Sequence, residues 1–70
     1  MASRLDEHLA VFLRKKRGNS TYVQFARKLG IAPSTLHRLE NREQSGTLQL
    51  LHQILRRLRC RVRDVFPEDA

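Results

Sequence analysis

Seventy residues support one small core, since a chain of this length buries only about 60% of its unfolded surface; two separate cores are excluded. Fourteen Lys and Arg against seven Asp and Glu give a formal net charge of +7, which points to a polyanionic partner but does not separate DNA from RNA or an anionic membrane. The single cysteine, Cys60, excludes an internal disulfide, and His8, His37 and His52 lie at no zinc-ligand spacing, so neither metal nor cofactor is expected.

Leu5, Leu9, Phe12 and Leu13 recur at helical spacing and predict a first helix over 5–17. The apolar run 9–13 ends at Arg14, Lys15, Lys16 and Arg17, too short to cross a bilayer, and nothing before it has the form of a signal peptide. The expectation is a cytoplasmic protein with no membrane partner. Gly18 and Asn19 stop the helix. Thr21 with Gln24 three positions on fits a capping box, which predicts a second helix over 22–29.

Gly30 stands where a helix end needs a left-handed backbone, and Pro33 suits the first position of a new helix over about 33–40, with Leu36 and Leu39 facing inward. Residues 41–46 carry no apolar side chain and read as a loop. Thr47 then caps a fourth, strongly amphipathic helix whose Leu48, Leu51, Leu55 and Leu58 make the stripe, widened by Leu50 and Ile54. That is more apolar surface than one small core absorbs, so part of it is expected at a dimer interface. Val62, Val65 and Phe66 are expected to close the core in a last short turn, before Pro67. With no repeat and no linker, the chain reads as one domain over 1–70, with its core at about 5–66 and short flexible ends.

The most specific signal lies between the second and third helices. Phe25, Ala26, Leu29, Gly30, Ile31, Leu36 and Leu39 fall where two crossed helices must meet: Ala26 is small under the crossing, Gly30 turns the chain, and the rest fill the gap.

On these residues, YVQFARKLGIAPSTLHRLEN resembles the DNA-binding core of the Cro and phage-repressor (Xre-type) helix-turn-helix family, and TLQLLHQILRRLRCRVRDVF is similar to that family's fourth and fifth helices. The resemblance implies an all-α, lambda-repressor-like bundle of four to five short helices. It also implies that the third helix enters the major groove of double-stranded DNA. Pro33, Ser34, Thr35, His37 and Arg38 then form the base-reading face. Arg38 leads it, because a guanidinium matches the O6 and N7 acceptors of guanine. A phosphate contact or a pair with Glu7 or Glu43 is the alternative for Arg38, and a solvated helix face is the alternative for His37.

Phosphate contacts are expected from Thr21 and Tyr22 at the start of the second helix, and from Asn41, Arg42, Gln44 and Ser45 after the third, with Gly46 admitting close backbone approach. Glu40 matches a family position that pairs with a basic residue of the first helix, here assigned to Arg14. Arg56, Arg57, Arg59, Arg61 and Arg63 form a basic tract that fits a solvated face, a second DNA contact or a site for an acidic partner. Cys60 falls at an apolar position and reads as core.

Three departures from the family pattern stand out: Ala32 replaces the usual Ser or Thr cap, and Arg42 and Arg59 replace glycines, which implies left-handed backbone at both. The functional expectation is a sequence-specific transcriptional regulator, a repressor acting as a homodimer on an inverted repeat. The alternative is an antitoxin that binds a toxin protein and regulates its own operon. No enzyme is expected, because Ser34, His37 and Glu40 have no second carboxylate near them and no pocket-forming architecture around them.

Overall fold

The structure, a computed structural model, describes residues 4–66, so the expected flexible ends and the stop at Pro67 lie outside the described residues. Five helices follow one another: α1 (Arg4–Arg17), α2 (Tyr22–Leu29), α3 (Pro33–Glu40), α4 (Leu48–Leu58) and α5 (Val62–Val65). No strand occurs among the described residues, in agreement with the all-α reading.

Local chemistry sets the boundaries. α1 has Asp6 and Glu7 in its first turn and Arg14, Lys15, Lys16 and Arg17 in its last, each sign matched to the helix dipole. α2 opens on a complete capping box: the Gln24 amide donates to Thr21 Oγ1 at 3.1 Å and the Thr21 amide donates to Gln24 Oε1 at 3.1 Å. Thr47 caps α4 with a single bond, accepting from the Leu50 amide at 3.0 Å. α3 has no side-chain cap at Ala32 and relies on Pro33 in its first turn.

α2 ends on a left-handed Gly30 at φ 74°, with the Gly30 amide donating to Arg27 O and the Ile31 amide to Ala26 O, the paired bonds of a Schellman motif. α3 and α4 close with the same pair of bonds, Arg42 to Leu39 and Glu43 to Arg38, then Arg59 to Arg56 and Cys60 to Leu55. Arg42 and Arg59 stand at φ 59° and 55°, as their replacement of glycine implies.

α3 lies across both α1 and α2, α4 packs on α2, and α5 returns to α1. Leu13, Leu29, Leu36, Leu39 and Ile54 are fully enclosed at the centre, each contributing about 2 kcal/mol of apolar burial. Ala26 is also completely buried, as the helix crossing demands.

The ends of the expected apolar stripes are corrected. Leu48, in the first turn of α4, is 86% exposed, and that helix turns Ile54 and Leu55 to the core with Leu51 and Leu58 half-buried beside them. Leu5 and Val62 are likewise exposed, so α5 closes the core with Val65 and the half-buried Phe66 alone. Cys60 packs half-buried at the core's edge. Gly46 serves packing: a Cβ there would lie 3.3 Å from Leu9 Cδ2, so its smallness admits α1.

Candidate nucleic-acid interface

With Leu36, Leu39 and Glu40 turned inward, the other side of α3 is fixed by helical geometry. Pro33, Ser34, His37 and Arg38 are exposed and Thr35 is half-buried. Between 21 and 39 there is no Asp or Glu, so this surface presents donors, acceptors and positive charge with no carboxylate among them.

α2 brings its first residues beside that surface. The Tyr22 and His37 rings meet edge to face with centroids 5.3 Å apart, joining the start of α2 to the middle of α3. The Thr21 hydroxyl accepts the capping bond, which leaves its proton free to donate outward. Beyond α3, Asn41 Nδ2 donates to His37 O at 2.8 Å, and Arg38 Nη1 stands 3.5 Å from Gln44 Oε1, the long end of hydrogen-bond range. Arg42 reaches back to Glu7 at 3.3 Å, and Ser45 donates to Asp6 at 2.9 Å, so the loop after α3 is tied to the acidic first turn of α1. The carboxylate of Glu7 therefore meets Arg42 rather than Arg38.

Behind the exposed layer sits the charged pair that fixes it. Glu40 is fully buried, the sole buried polar residue among the described ones. The expected pair with Arg14 forms only at a long 4.0 Å, and the close partner is Arg17. Arg17 Nε donates to Oε2 at 2.9 Å and Nη2 to Oε1 at 3.1 Å, a two-pronged grip, whereas Arg14 lies 4.0 Å away and is more than half exposed. The hydrogen bond to Glu40 holds the Arg17 guanidinium above its ordinary pKa, with burial opposing and the charges of Glu40 and Tyr22 adding to the rise.

Arg17 also donates to Ser20 O at 3.0 Å and stacks over the Tyr22 ring at 4.3 Å. Sequence reasoning missed it. The available signal was the basic run ending α1, which places Arg14 and Arg17 one turn apart on the same side. Both oxygens of Glu40 are taken by Arg17, so this carboxylate is scaffold and not a general base. Among the described residues no cluster of His, Cys, Asp and Glu could hold a metal ion, and no helix is long and apolar enough to cross a membrane.

The family model described as helix-turn-helix matches residues 13–65, which takes in the last turn of α1, both crossed helices, α4 and α5. The chain belongs to the Xre/Cro-type helix-turn-helix family. No curated protein and no solved structure matches it. This helix-turn-helix family is one of DNA-binding transcription regulators. In the order of the helices, α2 and α3 occupy the positions of the family's supporting and recognition helices.

Proposed function

We propose that the chain is a sequence-specific regulator that binds double-stranded DNA as a homodimer at an inverted repeat and represses by occupying that site. The observation that carries the reading is the outer face of α3, exposed, polar and free of carboxylates, set beside the start of α2. Ser34, Thr35 and Arg38 read base edges, with Pro33 against a thymine methyl and His37 at the groove wall. Thr21, Tyr22, Asn41, Arg42, Gln44 and Ser45 hold the flanking phosphates and set the register of α3 in the groove. Dimerisation finds support in the apolar surface a single copy leaves open, Leu48 above all, with Leu5, Val11, Val23 and Val62 each more than half exposed.

Selection of bound duplexes from a random pool tests this reading. The expected result is a symmetric site whose halves lie about one helical turn, roughly 34 Å, apart. Arg38→Ala should lower discrimination at one base pair of each half by about 2 kcal/mol while leaving affinity for random duplex nearly unchanged. A selected site bound no more tightly than random DNA overturns base reading. A one-to-one complex with a second protein, in place of a homodimer, favours the antitoxin alternative.

A further inference from the structure

The exposed side of α4 carries charge that the crossed helices do not use. Between Glu43 and Asp64 there are five arginines and no acidic residue. Gln49, Gln53 and Arg57 form one row at intervals of four, with His52 and Arg56 beside them, and these five line an open cleft of about 430 Å³. Neither Arg56 nor Arg57 takes part in any ion pair among the described residues.

The cleft is fastened to the helix-turn-helix itself. Gln53 Nε2 donates to Leu29 O at 3.0 Å and to Gly30 O at 2.8 Å, and the Arg57 guanidinium lies 3.1 Å from where a Cβ on Gly30 would stand. Gly30 is three residues before the first residue of α3, so the row runs from near the loop that follows the recognition helix to the turn that precedes it. From Gln49 to Arg57 it extends about 12 Å, comparable with the axial rise of about three base pairs of duplex.

We infer that this face of α4 is a second phosphate-binding surface, taking the backbone of DNA outside the segment read by α3. The inference rests on the proposed DNA binding and extends it to a surface that reads no base. The lining residues favour a nucleic-acid backbone over an acidic protein. All five are polar or charged, whereas a protein interface needs an apolar or aromatic anchor at its centre. The Gln49 amide and the guanidinium forks of Arg56 and Arg57 are among the side chains that grip phosphate oxygens, while Gln53, with both amide protons held by Leu29 O and Gly30 O, positions the row.

The test compares the full chain with the double variants Arg56→Gln/Arg57→Gln and Arg56→Lys/Arg57→Lys, with helicity checked by circular dichroism. Affinity is measured against salt on a mixed-sequence duplex long enough to extend one helical turn past the protein on each side, and on a duplex trimmed to the base-read segment. Loss of two phosphate contacts should lower the salt slope of the glutamine variant by about 1.8 on the long duplex, so that between 50 and 200 mM salt it loses about tenfold less affinity than the unaltered chain. The lysine variant should keep the original slope, and the trimmed duplex should show no difference among the three proteins.

An unchanged slope in the glutamine variant overturns the inference. So does an equal loss in both variants, which would report damage to the fold, and so does loss of binding to polyglutamate with the DNA slope intact, which would reassign the face to an acidic protein. Because the duplex has mixed sequence, the outcome is independent of base reading: failure of base reading appears in the operator selection, and failure of this inference appears in the slope.

Discussion

Two kinds of helix end use the same hydrogen bonds in this molecule with different residues. α2 closes on Gly30, while α3 and α4 close on Arg42 and Arg59 at nearly the same φ. A left-handed backbone suits glycine and strains any residue with a Cβ, by about 1 kcal/mol. At Gly30 a side chain would also meet Gln53 Nε2 at 2.9 Å and the Arg57 guanidinium at 3.1 Å. All three of these residues are exposed, and at Arg42 and Arg59 the strain accompanies a positive charge at the surface. Backbone ease is kept at Gly30, where a side chain would press on Gln53 and Arg57, and given up at two ends that carry a positive charge.

Three substitutions break or sharpen that contrast. The largest effect is expected at Gly30→Ala, which forces a Cβ into left-handed backbone and against Gln53; it should destabilise by about 2 kcal/mol in urea unfolding. Arg59→Gly should act in the opposite sense, stabilising by about 1 kcal/mol, because its left-handed strain is relieved and no ion pair among the described residues is lost. Arg42→Gly should gain less, about 0.5 kcal/mol, since release of strain is partly offset by loss of the exposed pair with Glu7. Equal gains at Arg42 and Arg59 would show that the Glu7 pair contributes nothing.

The parts of the fold encoded locally were legible in the sequence. Thr21 with Gln24, Gly30, Pro33 and Thr47 each act within a few residues, and both ends of α2 and the starts of α3 and α4 lie where those signals put them. Periodicity located the core stripe but not its limits. Leu5, Leu48 and Val62 share the spacing of buried residues and lie in the first turns of their helices, where no neighbouring element covers them. Ala10 is buried and went unseen, because alanine adds little to an apolar pattern.

In the candidate site, the outward direction of Ser34, His37 and Arg38 followed from Leu36 and Leu39 pointing inward. The choice between Arg14 and Arg17 did not follow from pattern. It depends on a contact 23 residues away and on the path of the link between α1 and α2, which spacing along one helix cannot resolve.

The tie between Arg42 and Glu7 makes Glu7 an occupant as well as a partner. An anion arriving at Arg42 enters by exchange, displacing a carboxylate that already holds the guanidinium. The loop therefore need not be ordered afresh when its partner comes, and the entropy of fixing it belongs to folding rather than to binding. The same exchange sets a threshold: a weak, singly charged anion meets an equal competitor in Glu7, whereas a chain of phosphates meets it with neighbours alongside.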